Sequence, residues 1–293
     1  VIDLHAHSSC SDGSETPEEV VGIAIAAGLG ALALADHDTL AGIERARAAS
    51  AQSALIVVPA VELSTTLAGT WSMHLLVYFV DDPTSPLGCR LVELQHARME
   101  RNRAMVERLR SLGLPIDYDS VVDHANGNER GVGRPHMASV LVERGAASSI
   151  ADAFGRWLGS GAPGYVARQQ IDTVEAIELA HASGGLAVVA HPDRTGLDEA
   201  RLRHELARLA DAGLDGLEAY YGGSSPERRA ELAALARDLG LVATGGSDYH
   251  GRFKPGLDLG TGFGDLSVDD AVLCDLAARL DDRARRPDGL ATH

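Results

Sequence analysis

The residues of this 293-residue chain that could do chemistry fall at the ends of its apolar segments. The first segment closes as His5-Ala6-His7, and side chains two apart share one face of a strand, so both imidazoles point the same way. Asp12 follows in the small-residue loop Ser8-Ser9-Cys10-Ser11-Asp12-Gly13. A second segment ends Asp36-His37-Asp38, a third ends in Glu62, a fourth opens with His74, a fifth ends His191-Pro192 and a seventh ends Ser247-Asp248-Tyr249-His250. Neutral imidazoles and carboxylates suit zinc, manganese or iron, and this many exceed the needs of one tetrahedral or octahedral ion. Two or three divalent ions are expected, with Glu62 a natural bridge because a carboxylate offers two oxygens. A lone histidine at a strand end is usually a packing residue, but here separate segments agree. Asp3, Asp36 and Asp38 flank these positions and are expected to orient the imidazoles. Cys10 reads as a small buried thiol, and His96, His124, His181, His204 and His293 read as surface residues.

Elements of a βα-repeating domain must position these groups. Segments rich in Val, Ile, Leu and Ala predict strands near 1–5, 31–36, 55–62, 74–80, 186–190, 215–219 and 241–246. Between them, helical patterns run near 17–28, 40–50, 173–183, 197–212 and 226–239. Thr16-Pro17-Glu18-Glu19 is a helix start with a hydroxyl N-cap, Pro in the first turn and Glu three residues after the cap; Gly28, Gly184 and Gly240 stand where helices should stop. In a parallel sheet or barrel, the carboxyl ends of strands converge on one rim. His74 opens its strand, but residues 63–72 are too few for a crossover helix, so the fourth strand should return antiparallel and bring His74 beside the end of the third.

The βα rhythm stops between about 86 and 165, where the pattern is helical. Its first helix, Leu87 to Leu112, places Leu91, Leu94, Met105, Leu109 and Leu112 near one face. Arg98, Arg101, Arg103, Arg108 and Arg110 alternate with Glu93, Glu100 and Glu107, which predicts a solvated surface. The tail from about 281 reads as frayed.

Composition narrows the function. Hydrophobic residues make up 45% and charged residues 23%, enough apolar content for a real core. Lys plus Arg number 26 against 42 Asp plus Glu, so the formal charge of −16 argues against a duplex-DNA binder. Three separated cysteines, Cys10, Cys89 and Cys274, indicate neither a disulfide framework nor a thiolate zinc site, and a reducing cytoplasm is expected. No apolar run approaches a membrane span and no basic leader is visible, so neither membrane association nor a signal peptide is expected; the missing initiator Met leaves upstream targeting open.

The string Asp3-Leu4-His5-Ala6-His7-Ser8 through Ser11-Asp12-Gly13, then Asp36-His37-Asp38, Glu62, His74, Ala190-His191-Pro192 and Gly246-Ser247-Asp248-Tyr249-His250 resembles the PHP (polymerase and histidinol phosphatase) family of metal-dependent phosphoesterases over nearly the whole chain. The resemblance implies an α/β fold, a distorted seven-stranded β/α barrel formed by 1–85 and 166–293, with 86–165 as an inserted helical cap. It implies a trinuclear centre: one ion on His5, His7, Glu62 and Asp248, a second on Glu62, His74 and His191, a third on Asp12, His37 and His250. The inserted segment is similar to that of stand-alone phosphatases acting on nucleoside 3′,5′-bisphosphates and their oligoribonuclease relatives. In that subgroup Arg134-Pro135-His136 and Arg194 resemble phosphate contacts. Two positions depart: Ala162 stands where a Lys is expected before Pro163, and Ser224 where a His is expected before Ser225-Pro226-Glu227. Arg168 is a neighbouring basic residue able to replace the lost charge.

No Gly-x-Ser-x-Gly elbow occurs and the serines near the cluster lack a general-base partner, so water is the expected nucleophile, activated as metal-bound hydroxide with no covalent intermediate. Three divalent cations would outweigh three ligating carboxylates and make the pocket attractive to a small anionic phosphorylated substrate. The expected activity is hydrolysis of a phosphomonoester such as a nucleoside 3′,5′-bisphosphate. A phosphodiesterase or 5′-3′ oligoribonuclease using the same ions is the alternative, and a non-catalytic metal-stabilised interaction module is a third reading. Metal-assisted amide hydrolysis is chemically open too, but Arg134 and Arg194 favour phosphate, whose oxygens a guanidinium matches bidentately. Ion identity and oligomeric state have no signature in the sequence.

Overall fold

Eight strands carry the site: β1 (Ile2–Ala6), β2 (Ala31–Leu34), β3 (Ile56–Leu67), β4 (Trp71–Tyr78), β5 (Ile171–Asp172), β6 (Leu186–Ala190), β7 (Gly216–Tyr221) and β8 (Val242–Gly246). They come from a computed structural model that describes residues 1–167 and 170–285; Arg168 and His293 lie outside the described residues. Seven strands run in the order β1-β2-β3-β4-β6-β7-β8, and the two-residue β5 pairs with β3. All neighbours along this path are parallel except β4, which is antiparallel to both β3 and β6. Beyond β8 the chain meets β1 again, since Asp248 N donates to His5 O at 2.8 Å and His7 N to Tyr249 O at 2.9 Å. The result is the nearly closed seven-strand α/β barrel that the family resemblance implies.

Around the strands lie α1 (Pro17–Ala26), α2 (Ile43–Ser50), α7 (Thr173–Ala182), α8 (Glu199–Asp211), α9 (Pro226–Asp238) and α10 (Ala271–Ala284). The Thr16 and Glu19 side chains form the reciprocal capping box that starts α1. Leu63, Leu75, Val189 and Leu217 pack with Ile177, Leu206 and Leu232 of α7, α8 and α9. A second cluster joins Ile2, Leu4, Val58, Leu76 and Val188 to Val272 and Leu276 of α10. Sequence reading missed β5, too short for alternation to register, and α10, although Val272, Leu276 and Leu280 have helical spacing. It also read the chain from 281 as frayed, whereas α10 continues to Ala284. The last turn is pinned because Arg283 donates to Asp215 Oδ1 at 2.7 Å and to Gly213 O at 2.9 Å.

Between β4 and β5 the described residues form α3 (Pro86–Ser111), α4 (Tyr118–His124), α5 (Arg134–Glu143), α6 (Ile150–Ala153) and a π-turn at Phe154–Leu158, with no strand among them. Leu87, Leu91 and Leu94 at the start of α3 share the core of β3 and β4. Met105, Val106 and Leu109 further along enter a separate cluster with Val121, Met137, Leu141 and Leu158. Leu112, placed on the apolar face by spacing, is instead 45% exposed at the helix end.

Closure of the barrel depends on a residue without a side chain. A Cβ on Gly246 would lie 2.5 Å from both His5 N and His5 Cβ, so β8 can approach β1 only as glycine. Gly246→Ala is expected to cost about 1–3 kcal/mol through overpacking and to lower the thermal midpoint while the far-UV spectrum stays native. An unchanged midpoint would show that the seam yields without strain.

Candidate active site

Each site residue reaches one rim for a local reason. His5 and His7 leave β1 on one face, Asp12 follows in the loop, and His37, His191 and the Asp248–His250 pair follow β2, β6 and β8. His74 lies on the reversed strand β4, opposite Ser64 of β3 and Ala190 of β6, so the antiparallel register sets it beside Glu62 and His191. Gly69, at φ +67°, turns the chain between β3 and β4. All nine candidate ligands therefore come together. Four overlapping groups have ligand-type atoms within 4.8 Å of one another: His7, Asp12, His37 and His250; His5, Glu62 and His191; His5, His7 and Asp248; His37, Glu62 and His74.

The atoms converge on shared points. His5 Nε2 and His7 Nε2 face each other at 3.1 Å. Both face Glu62 Oε2, at 3.4 and 3.2 Å, and Asp248 Oδ1, at 3.6 and 3.4 Å. The other Glu62 oxygen, Oε1, meets His74 Nδ1 at 2.6 Å and His191 Nε2 at 2.8 Å. Asp12 lies 3.4 Å from His250 Nε2 and 3.8 Å from His37 Nε2. Metal–ligand bonds of about 2.1 Å put ligand atoms about 3.0 Å apart at right angles and about 3.4 Å apart in a tetrahedron. The first set matches these separations. Moreover, among the described residues the buried atoms His7 Nδ1, Asp12 Oδ1 and His37 Nδ1 make no contact of hydrogen-bond geometry, although Asp12 Oδ1 and His37 Nδ1 lie 3.4 and 3.2 Å from His250 and Glu62, which is how donors gathered around a shared ion would stand. The residues present thus fit transition-metal ions in number, type and spacing.

Protonation is divided unevenly across the cluster. Burial pushes His37 well below its ordinary value, and burial together with repulsion from His7 and Lys254 takes His250 down to about 4. Against burial, which would lower it, Asp248 and Glu62 raise His7 to about 9. Burial would raise Asp248, but Lys254 and the imidazoles around it hold that carboxyl well below the carboxylate range.

The residues expected to orient the imidazoles brace backbone instead. Asp3 accepts from the amides of His5, Ser247 and Gly260, and Asp36 accepts from the amide and hydroxyl of Ser8 and the hydroxyl of Ser11. The residue that does orient an imidazole is Glu218 of β7: its Oε1 lies 2.9 Å from His5 Nδ1, and its Oε2 accepts from His191 N at 2.6 Å. An acid inside the apolar run Leu217-Glu218-Ala219 was the available signal. His191 at φ +26°, Asp38 at φ +57° and Asp248 at φ +59° hold left-handed backbone without being glycine, and strain of this kind persists only where the surroundings impose it. Asp38 faces a residue of the helical insertion, Arg98, at 3.4 Å. Arg98, predicted on a solvated face, is instead buried, 3.5 Å from Asp12 Oδ2 and donating to Val132 O.

A cavity of about 420 Å³ opens over the cluster. Asp12, His37, Glu62, His74, His191 and Asp248 line its barrel side, while Pro135, Ile150, Ala151 and Phe154 line the other. Arg134 and Arg194 are both in its wall, and so is Lys254, which sequence reading did not single out and which donates to Asp248 Oδ2. His136 is not in the wall: it is buried edge-on to Phe253, its Nδ1 accepts from Gly133 N at 3.0 Å, and burial takes it down to about 4. Ala162 lies in a turn outside the cavity lining, bonded to Gly159 O, and Ser224 donates to Asp193. Cys10 is half-buried, with its thiol raised to about 11 by burial. His96 and His204 are exposed, whereas His124 and His181 are partly buried and paired with Glu143 and Asp215.

Comparison with known proteins bears on this geometry. The model of the PHP domain matches residues 3–113. The 5′-3′ exoribonuclease Rnm of Escherichia coli (strain K12) is 39% identical over 265 residues, 89% of this chain and 88% of that protein. The 3′,5′-nucleoside bisphosphate phosphatase of Chromobacterium violaceum is 33% identical over 259 residues, 88% of this chain and 90% of that protein. A solved structure from Bifidobacterium adolescentis, described as a metal-dependent phosphoesterase, superposes with a TM-score of 0.84 at 34% identity, covering 95% of this chain and 96% of that one.

The buried Arg98 ties α3 to two acids of the rim, and removing one partner of such a group leaves uncompensated charge. Arg98→Met is expected to destabilise the protein by about 3–5 kcal/mol in chemical denaturation, and adding Asp38→Asn should recover part of that loss. A loss below about 1 kcal/mol, the range of a surface pair, would return Arg98 to the solvated face.

Proposed function

The chain belongs to the PHP domain family and is a metal-dependent phosphoesterase, a hydrolase of phosphoric ester bonds; from that premise we propose that it acts on a nucleoside 3′,5′-bisphosphate or a closely related nucleotide ester. The observation that carries this reading is the two-sided cavity. Imidazoles and carboxylates line one side, three cations (Arg134, Arg194 and Lys254) stand in the wall, and Phe154, with the Arg134 guanidinium 5.5 Å from its ring centre, contributes with Ile150 an apolar and aromatic part of the lining. Such a cavity suits a ligand with an anionic end and a planar apolar end, and 420 Å³ lies within the range of small-molecule sites. In this proposal 86–165 serves as a cap over a barrel formed by 1–85 and 166–293.

The proposed ligand sets are His5, His7, Glu62 and Asp248 for one ion; Glu62, His74 and His191 for a second; and Asp12, His37 and His250 for a third. Support comes from the 3.1–3.6 Å spacing of the first set and from the two Glu62 oxygens facing different sets. When bound, divalent manganese, iron or zinc supplies Lewis acidity and lowers the pKa of water. The chain's own residues do the remaining work. Arg134 and Arg194 bind phosphate oxygens, and the walls formed by Ile150, Ala151 and Phe154 exclude solvent. Burial disfavours the protonated form of His37 and His250, and the neutral imidazole is the form that can ligate an ion. In the reaction a water oxygen forms the new bond to phosphorus, the ester oxygen leaves with the bonding pair, and a proton from water ends on that oxygen.

A second substrate reading shares this geometry. The 5′-terminal nucleotide of a 5′-phosphorylated RNA carries the same pair of phosphates as a 3′,5′-bisphosphate, except that the 3′-phosphate is esterified onward. The kinship with a protein named as a 5′-3′ exoribonuclease favours keeping it.

Purified protein should contain more than one transition-metal ion per chain by elemental analysis, and chelation should abolish hydrolysis of adenosine 3′,5′-bisphosphate; one ion or fewer with full activity overturns the polynuclear assignment. Glu62→Gln should reduce activity far more than Asp12→Asn, because Glu62 is assigned to two ions and Asp12 to one. Equal mild losses would refute that division. Arg134→Ala and Arg194→Ala should each raise KM about tenfold, since a hydrogen bond to a charged group is worth ~1.5–3 kcal/mol, while metal content stays constant. Loss of metal instead would make these arginines supports of the centre.

A further inference from the structure

Beside the reaction cavity lies a second one of about 520 Å³, and the two share Arg194, Lys254 and Pro255 as a common threshold. Tyr221, whose hydroxyl donates to Asp248 Oδ2 at 3.1 Å, and Phe263 also line the second cavity, and Phe263 is not in the lining of the first. Phe263 is 62% exposed, the most exposed large apolar side chain among the described residues. Nothing about its loop is loose. Asp258 and Gly262 exchange backbone hydrogen bonds of 2.7 and 2.8 Å, Gly264 N and Leu266 N both donate to Thr261 O, and Gly260 N donates to Asp3 Oδ2, the carboxylate that also braces β1. Arg229, buried beneath, donates to Asp265 O. A hydrogen-bonded loop thus holds an aromatic face in water at the edge of a cavity that shares three residues with the reaction cavity, an arrangement that favours stacking because little loop order is lost on binding.

Charge decides what enters. Arg194 and Lys254 stand at the threshold and share one carboxylate, Asp248, so two cations against one acid leave positive charge where a phosphate would sit. Farther out, Arg228 is already matched by Asp193, Glu199 and Glu231 at 2.8–2.9 Å. One cation against three carboxylates draws no further phosphate. The second cavity therefore suits a base and a sugar attached to a phosphate at the threshold. We propose that it holds the nucleoside esterified to the far side of the reacting phosphate, with its base stacked on Phe263, so that the enzyme handles one nucleoside beyond the scissile ester and gains nothing from a longer chain. This rests on the nucleotide-ester reading above.

The test compares wild type with Phe263→Ala on three substrates: adenosine 3′,5′-bisphosphate, its 3′-methyl ester and 5′-phosphorylated diadenylate. Stacking of one base predicts that the variant loses about five- to a hundredfold in kcat/KM on the dinucleotide and keeps wild-type values on the other two. Phe263→Trp should restore the dinucleotide. Wild type should cleave the first linkage of a trinucleotide no faster than that of the dinucleotide. A readout independent of turnover is the fluorescence of 2-aminopurine at the second position of a dinucleotide whose bridging 3′-oxygen is replaced by methylene; quenching on binding should vanish in Phe263→Ala. If wild type hydrolyses the bisphosphate but not the dinucleotide, or if both proteins treat the dinucleotide alike, the groove assignment is overturned and the function stands. If wild type hydrolyses neither nucleotide yet turns over another phosphate ester, the nucleotide reading fails and the groove assignment falls with it.

Discussion

Glu62 is the charge to which the rest of the structure answers. It is 1% exposed, and burying a lone carboxylate is prohibitive unless each oxygen is matched. Here one oxygen faces His5, His7 and His37, and the other faces His74 and His191. To deliver five imidazoles to one acid, strands far apart in sequence must converge on one rim, and β4 must run backwards, because the reversed strand sets His74 opposite Ser64, two residues past Glu62 on the same face of β3. The topology is in this sense a solution to the desolvation of one side chain. The same matching that neutralises Glu62 also makes its surroundings a metal-type environment, so stability and chemistry have a common origin.

A second layer fixes the directions of the first. Glu218 spans two strands, holding the ring of His5 and the amide of His191, while Asp3 ties β1 to the exit of β8 and to the loop of Gly260. Three residues next to or within the ligand set hold left-handed backbone, and a bond anchors each of the segments involved: His191 N to Glu218, Asp248 N to His5 O and Asp38 N to Glu62 O. Local conformational preference is overruled at these places by a buried, mutually supporting network. Such a network leaves side chains little freedom to relax, which is what a site with fixed ligand spacing requires.

The legible part of this site was the part written in local rules. Period-two alternation put His5 and His7 on one face, and a connection too short for a helix reversed the fourth strand, so all nine candidate ligands could be named before any coordinates. What escaped depends on contacts between residues distant in sequence. Arg98 sits among alternating Arg and Glu, and nothing in that run distinguishes the one guanidinium that crosses to Asp38, sixty residues away, from its solvated neighbours. Lys254 follows a Gly-Arg-Phe turn whose direction no local pattern declares. Asp3 and Asp36 were identified correctly as supports but not for what they support, because a carboxylate near a histidine looks the same in sequence whether it faces the ring or the backbone. β5 was below the length at which alternation carries information, while α10 did have the helical spacing and was overlooked beside a charged tail.

The two faces of the cavity trace to different parts of the chain, and that separation has a physical consequence. The barrel rim supplies groups whose positions are constrained by their mutual charges, so substitution there disturbs several partners at once. Phe154, Ile150 and Ala151 belong instead to a segment with its own apolar cluster, built on Met105, Leu109, Met137 and Leu141. They can vary in size and shape without unbalancing a single buried charge. The cations of the wall come from three places, Arg134 at the start of α5, Arg194 after β6 and Lys254 after β8, and they surround an opening in a surface whose overall charge is −16. A field of that kind repels a long polyanion at a distance and attracts a small anion only near the mouth, where the local cations outweigh the distant acids. In the proposed function, that charge distribution would favour a short anion over a long polyanion before any contact is made, and the apolar wall would be left to discriminate among the small anions that arrive.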